Sequence, residues 1–377
     1  MSIRKRTLPS GSVVWLAGYR DSEGKRRFKQ FPKKSAADAY LIEKKGEVRS
    51  GRHVAESASP TFGSAADDWL TKIEKDGLER STIERYRATY TSHVKPELGS
   101  KKLSTITPGQ LQIFIDTLAG TMSASSLKKV RDCIRQVFSH SVKRGRASHN
   151  PATDIDLPVR KRGKGAAIEM PAKAELRKIV EAAPERWTPY IRTAILTGMR
   201  ASELRGLTWD DVDLDRGVIS VTHRMDRYGA DGPPKSNAGR RDIPLSAGTV
   251  DMLKAWQEAC PKSSAKLVFP APEGGAMSHQ NFLRRVYWPT QVKAGVAIET
   301  GEVDKKGAPV MEAKYTFHAL RHAAAALFIE QGLQPKKVQT LMGHASIQIT
   351  MDVYGYLWPK EEEDRAAMGA IDANLFA

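Results

Sequence analysis

The chain has 377 residues, 40% of them apolar, and carries a formal net charge of +17. That length suggests two or three domains, and that charge favours a polyanionic partner, a description nucleic acid and an anionic membrane surface both fit. No run of roughly eighteen apolar residues is present to span a bilayer, and residues 1–6 lead into polar sequence rather than a signal-peptide core. The two cysteines, Cys133 and Cys260, are far apart and lack partners at metal spacing, which argues against a disulfide framework. The chain therefore reads as soluble and cytoplasmic with no membrane partner, its thiols serving as small apolar groups.

Fourteen Lys and Arg against six Asp and Glu fall in the first sixty residues, about half of the excess charge in a sixth of the chain. Residues 13–20 are β-prone, 21–24 (Asp-Ser-Glu-Gly) have turn chemistry, and 26–31 (Arg-Arg-Phe-Lys-Gln-Phe) alternate basic or polar with aromatic side chains, which is a hairpin signal. Ser35, with Asp38 three residues on, forms a loose capping box for a helix that fades near Gly51. The reading is a small basic sheet with one helix, with Arg26, Arg27 and Lys29 as candidate DNA contacts. A solvated basic appendage without a ligand has the same composition.

Residues 53–61 read as a short linker, and from 62 to 142 the pattern is helical. Ala65, Ala66, Trp69, Leu70 and Ile73 recur at helical spacing, as do Leu111, Phe114, Ile115 and Leu118, and then Val130, Ile134, Val137 and Phe138. These stripes are core. Lys128 and Lys129 lead a set of cations on the opposite faces that suit either phosphate tracking or a merely soluble surface. A second linker follows Asn150-Pro151, and its run Arg160-Lys161-Arg162-Gly163-Lys164-Gly165 has four cations and no anion. Arg160, Lys161 and Arg162 suit a duplex backbone, although a nuclear localisation signal has the same look.

From residue 171 the pattern is mixed: helices near 171–183, 187–198 and 201–207, strands at 217–222 and 240–245, then helices near 247–259, 278–293, 317–331, 335–342 and 346–356. Four stretches here carry chemistry. In Leu196-Thr197-Gly198-Met199-Arg200-Ala201-Ser202-Glu203, Arg200 enters a helix with Glu203 on the same face, where the carboxylate can orient a guanidinium fork toward a phosphate, although Arg-x-x-Glu is more often a surface ion pair. Lys235 sits in a turn before a returning strand (Lys235-Ser236-Asn237-Ala238-Gly239-Arg240-Arg241-Asp242-Ile243-Pro244). In His318-Ala319-Leu320-Arg321-His322, His318 shares a helix face with both Arg321 and His322. A His-x-x-x-His pair also suits zinc, but Ala319 occupies the position where a zincin has glutamate, so no metal is assigned. Finally, Leu341-Met342-Gly343-His344 places a histidine after a helix-ending glycine, with Tyr354 ten residues later and Tyr356 just beyond.

In this order and at these separations, the four stretches resemble the catalytic domain of the tyrosine site-specific recombinases, the phage integrase family. The middle segment is similar to their helical core-binding domain down to the Asn150-Pro151-Ala152 exit, and the N-terminal segment is similar to the three-stranded arm-binding domain of some integrases. The implied fold is multidomain α+β: an arm-type module (1–57), an all-α, SAM-like core-binding domain (62–156) and an α-rich mixed catalytic domain (168–377), with the two larger domains closing on duplex DNA as a C-shaped clamp. The resemblance implies that Tyr354 attacks the scissile phosphate to form a 3′-phosphotyrosyl bond. It further implies that Arg200 and Arg321 clamp the nonbridging oxygens, Lys235 protonates the leaving 5′ oxygen, His318 assists proton removal from Tyr354, His344 hydrogen-bonds the phosphate and Glu203 supports Arg200. Tyr356 lies too far from His344 to be the nucleophile.

The physical sense stands beside the resemblance. A phenol with an ordinary pKa near 10 needs cations to stabilise its phenolate, and a cluster of arginines, histidines and a lysine substitutes for the divalent metal of other phosphoryl-transfer sites. No cofactor is expected. The partners implied are double-stranded DNA attachment sites and three further copies of the chain, exchanging strands through a Holliday junction. A host DNA-bending protein and an excision directionality factor are the accessory partners to look for, and residues 361–377 form a tail whose Ile371, Leu375 and Phe376 either anchor it on a neighbouring protomer or fray. A dimer resolvase, a type IB topoisomerase, a catalytically silent DNA-binding regulator and a metal-dependent nuclease are the rival readings.

Overall fold

A computed structural model describes residues 2–21, 24–158, 168–234, 236–304, 307–358 and 362–376, the last segment with side chains from 365. The chain divides into two compact units, Met1–Lys164 and Gly165–Ala377.

The first unit opens with an antiparallel sheet in the order β1 (Ser2–Thr7), β2 (Val13–Arg20), β3 (Arg26–Phe31), covered on one face by α1 (Lys34–Arg49). Ala37 and Leu41 of α1 are buried with Ala17 and Tyr19 of β2. The helix begins at Lys34, and its N-cap residue Lys33 makes no side-chain cap, so Ser35 lies inside the first turn rather than capping it. The linker expected at 53–61 is stitched down. His53 is buried between Tyr19 Oη (3.2 Å) and Glu47 Oε2 (3.0 Å), Lys102 Nζ donates to the Glu56 carbonyl (2.8 Å), and Ser104 N donates to Ser59 Oγ (3.1 Å). Composition shows small polar residues there; it does not show that their polar groups have partners.

The rest of this unit is helical: α2 (Phe62–Lys75), α3 (Arg80–Thr89), a π-helical turn (Tyr90–Val94) running into α4 (Lys95–Leu98), then α5 (Pro108–Ala119) and α6 (Ala124–Lys143). Thr61 and Ser123 cap α2 and α6 through their hydroxyls, and Thr107 with Gln110 forms a full capping box on α5. The stripes read from the sequence form one core that includes Phe62, Trp69, Leu70, Leu111, Ile115, Val130, Ile134 and Phe138. Cys133 belongs to it. Asn150 closes the unit, donating to Arg135 O and Ser139 Oγ while accepting from Ala152 N.

The second unit starts with α7 (Lys173–Ala182), α8 (Thr188–Thr197) and α9 (Ala201–Gly206). A three-stranded antiparallel sheet follows, ordered β4 (Val212–Asp213), β5 (Val218–Val221), β8 (Arg241–Pro244), with the short pair β6 (Arg224–Met225) and β7 (Asp231–Gly232) between β5 and β8 in the chain. Next come α10 (Ala247–Ala259), with the partly buried Cys260 at its end, and α11 (His279–Phe282), joined through a second π-turn to α12 (Trp288–Lys293). A hairpin, β9 (Ala297–Val303) with β10 (Pro309–Ala313), precedes α13 (Phe317–Glu330), α14 (Pro335–Met342) and α15 (Ile347–Tyr354). The hairpin was not foreseen: its strands carry glycine and acidic residues and are mostly exposed, so neither apolar alternation nor a buried run marks them. The tail is helical, α16 (Glu362–Phe376), with Met368, Ile371, Leu375 and Phe376 all exposed. No helix among the described residues is long and apolar enough to cross a membrane.

The two faces of α6 predict opposite responses. Ile134→Ala empties a fully buried site and is expected to cost about 2–5 kcal/mol, whereas Lys128→Ala, on the exposed face, is expected to stay within about 0.5 kcal/mol of wild type. Urea unfolding of the first unit's transition measures both, and equal losses would contradict the core assignment.

Candidate active site

Two helix-ending glycines organise the second unit's polar centre. Gly198 ends α8 and Gly343 ends α14, each at φ +62°, a left-handed conformation that glycine adopts without strain. Their space is closed as well: a Cβ on Gly198 would lie 2.9 Å from Met342 Sδ, and one on Gly343 would lie 2.9 Å from Arg241 Nη1. Four carbonyls at these helix ends accept from arginines. Arg321 donates to Gly198 O (2.5 Å) and to Met342 O, Arg200 Nη2 donates to Gly343 O (2.9 Å), and Arg241 Nε donates to Leu341 O (2.6 Å).

One carboxylate balances them. Glu203, buried in the first turn of α9, accepts from Arg200 N (2.9 Å) and Arg200 Nη1 (2.7 Å), and from Arg241 Nη2 (2.9 Å). Burial alone would raise its pKa, but the charges of Arg241 and Arg200 overbalance that and hold it below the ordinary range. Arg321 is itself depressed to about 9, by burial first and by Arg200 second, and so stays cationic at neutral pH.

The histidines differ in their surroundings. His344, buried, shares a hydrogen bond with Thr350 Oγ1 through Nδ1 (2.9 Å), and its ring lies parallel to that of Tyr354 at 6.3 Å. Burial, then Arg321 and Arg200, lower its pKa to about 4. His318 stands at the exposed rim, edge-on to His322 at 4.9 Å; desolvation by the site wall, then His322, Arg321 and Arg200, hold it near 4 as well, so both rings are neutral at physiological pH.

Tyr354, the last residue of α15, is 1% exposed, while Tyr356 is 51% exposed. Burial raises the Tyr354 phenol to about 12, against the opposing pull of Arg321. Its hydroxyl lies 2.7 Å from Nδ1 of His322, whereas the resemblance implies His318 as the group that assists its proton removal. Spacing on α13 puts both histidines on one face, and only the packing of α15, 32 residues away, selects between them.

The structure thus brings together Arg200, Glu203, His318, Arg321, His344 and Tyr354, all within the second unit. Lys235 lies outside the described residues. Two members of the cluster escaped the sequence reading. Arg241 sits in a strand whose alternation turns Arg241 and Ile243 inward and Asp242 and Pro244 outward, a signal the period-2 pattern carries. His322 was weighed only as a metal ligand, and no group of three His, Cys, Asp or Glu able to hold a metal occurs among the described residues.

The N-terminal candidates separate by strand alternation. Arg26 and Phe28 lie on the open face of β3 beside Arg4 and Arg20. Arg27 and Lys29 point the other way: Arg27 pairs with Asp21 (2.8 Å) and the exposed Lys29 with Glu56 (3.5 Å). Lys128 and Lys129 are exposed on α6. Arg160, Lys161 and Arg162 lie outside the described residues.

Known proteins place this arrangement. The chain belongs to the phage integrase family: residues 171–357 match that family and residues 62–157 match the phage integrase central domain. It is 26% identical over 375 residues to the "tyrosine recombinase XerC-like" protein of Caldanaerobacter subterraneus subsp. tengcongensis, covering 91% of each chain. Its fold is similar to that of the Tn1549 transposon integrase in complex with a circular intermediate DNA (TM-score 0.63, 20% identity, 83% of this chain and 100% of that one). It is also similar to lambda integrase in a tetramer bound to a Holliday junction (TM-score 0.59, 19% identity, 95% of this chain and 98% of that one).

Two outcomes follow from the geometry. Because the folded Glu203 carboxyl is more acidic than the unfolded one, its stabilisation is complete above the unfolded value of 4.5 and drains away as pH falls through the folded value. The gap in unfolding free energy between wild type and Glu203→Gln should therefore narrow below about pH 4.5; a gap independent of pH would show that the charge is not what holds the cluster. Gly343→Ala, strained at positive φ and crowded against Arg241, should lower stability by about 1–3 kcal/mol, read from denaturant unfolding.

Proposed function

We propose that the chain is a site-specific DNA integrase that cleaves and rejoins DNA through a 3′-phosphotyrosyl intermediate, integrating and excising a phage or other mobile element. The observation that carries the reading is the buried Tyr354 beside Arg321, in a centre where, among the described residues, the guanidiniums of Arg200, Arg241 and Arg321 meet one carboxylate, Glu203. An excess of fixed cations is what an in-line displacement on a phosphodiester requires, because charge grows on the equatorial oxygens as Tyr354 Oη attacks.

Arg200 and Arg321 would hold the nonbridging oxygens, and His344 and the rim residue His318 would hydrogen-bond them. Lys235 would protonate the departing 5′ oxygen, and Glu203 would keep Arg200 oriented. Residues 1–57 would act as the arm-type module, with Arg26 on its open face. Residues 62–156 would form the core-binding domain, with Lys128 and Lys129 facing phosphates, and residues 168–377 the catalytic domain. The 160–162 cations would follow the duplex backbone. Lambda integrase, whose likeness spans 95% of this chain, supports a four-copy assembly working through a Holliday junction on paired attachment sites. The docked tail, a host DNA-bending protein and a directionality factor would complete the complex in the cytoplasm of a bacterial host.

A suicide substrate carrying the source element's ends tests the chemistry. Wild type should form a covalent protein–DNA adduct in EDTA, and Tyr354→Phe should form none. An adduct that survives in Tyr354→Phe but is lost in Tyr356→Phe would move the nucleophile by two residues. Tight binding with no adduct from wild type would make the chain a silent regulator. Exchange only between identical sites in direct repeat would make it a dimer resolvase.

A further inference from the structure

Resting on the recombinase reading, we propose that His322, rather than His318, takes the proton from Tyr354 when the strand is cut. Both histidines project from one face of α13, a turn apart, but they meet different neighbours. His322 is half-buried and its Nδ1 lies 2.7 Å from Tyr354 Oη, a direct proton-transfer distance. His318 is exposed, and its ring contact is with the His322 ring rather than with the phenol.

Accessibility sharpens the choice. Tyr354 is 1% exposed, so solvent hydroxide has little access to the hydroxyl, and an internal base is the remaining route. The groups facing His322 are Arg321 and His318 on its own helix, Tyr354 on α15 and His344 on the turn after α14. Burial and then Arg321 disfavour its imidazolium, so the resting ring is neutral and has a lone pair to offer. With the ring proton on Nε2, Nδ1 accepts from the phenol.

The step balances. The Tyr354 O–H bond breaks as Oη bonds to phosphorus, and the proton remains on His322 as imidazolium. The bond from phosphorus to the 5′ oxygen breaks, and that oxygen takes a proton from the general acid, Lys235 in the reading above. In religation the 5′-hydroxyl returns its proton to that group as it attacks, and the imidazolium reprotonates the departing phenolate.

The test measures cleavage of the suicide substrate by His322→Ala, His322→Gln and His318→Ala. Loss of a general base should slow His322→Ala and His322→Gln by about a hundredfold or more at neutral pH while DNA affinity is retained. That deficit should shrink with added imidazole or rising pH. It should also persist on DNA with a 5′-bridging sulfur, a leaving group that needs no proton, whereas a defect at Lys235 should disappear there. Wild-type rates in both His322 variants, with these signatures moving to His318→Ala, would overturn the proposal. Should substitution at 322 abolish DNA binding, ¹⁵N-histidine NMR of the wild-type protein decides: a bare Nδ1 hydrogen-bonded to the phenol supports it, and a protonated Nδ1 overturns it. A wild-type protein that forms no adduct would instead remove the recombinase reading itself.

Discussion

The second unit is organised around a charge imbalance: three guanidiniums, those of Arg200, Arg241 and Arg321, converge where, among the described residues, one carboxylate, Glu203, meets them. Burying cations without equal anions is costly, and desolvation exceeds what one ion pair returns. The fold offsets the cost with backbone. Helices α8 and α14 both end at this point, and the carbonyls left without partners there (Gly198, Leu341, Met342 and Gly343) accept from the arginines. A helix C-terminus carries partial negative charge, so two helix ends stand in for the missing carboxylates. The glycines follow from this. A chain that turns left-handed directly after each helix leaves those carbonyls uncovered, and at Gly343 it admits the Arg241 guanidinium where a Cβ would otherwise sit.

That origin explains which parts of the site were legible in the sequence. Leu-Thr-Gly-Met-Arg and Leu-Met-Gly-His are helix-end signals followed at once by a functional side chain, so each states its own local geometry. Helical periodicity likewise exposed the helical core of the first unit. What could not be read were relations across the chain. Arg241 is as close to Arg240 in sequence as it is distant in role, and only strand alternation separates the buried one from its neighbour. His322 and His318 are interchangeable by spacing on α13, and the position of α15 decides between them. The same limit misjudged residues 53–61, whose polar composition suggested a free linker because their partners, Tyr19, Glu47 and Lys102, lie elsewhere in sequence. It also kept Arg26 from being separated from Arg27 and Lys29, which alternation turns toward Asp21 and Glu56.

Under the reaction proposed for Tyr354, the imbalance also bears on when its hydroxyl would become reactive. Without DNA, the excess cations should favour phenolate, yet burial outweighs them and the Tyr354 phenol sits near 12. An arriving phosphodiester brings a negative charge that cancels part of the cationic field, which makes a free phenolate harder still to form in the complex. Ionisation before attack is therefore opposed at both stages, by burial first and by the substrate's own charge afterwards. In the proposed reaction, what remains is transfer of the proton as the oxygen–phosphorus bond forms, when the negative charge would pass from Oη to the oxygens that the arginines would hold. A base in contact with the hydroxyl then matters more than any prior shift in acidity, and the cations act on the phosphate rather than on the tyrosine.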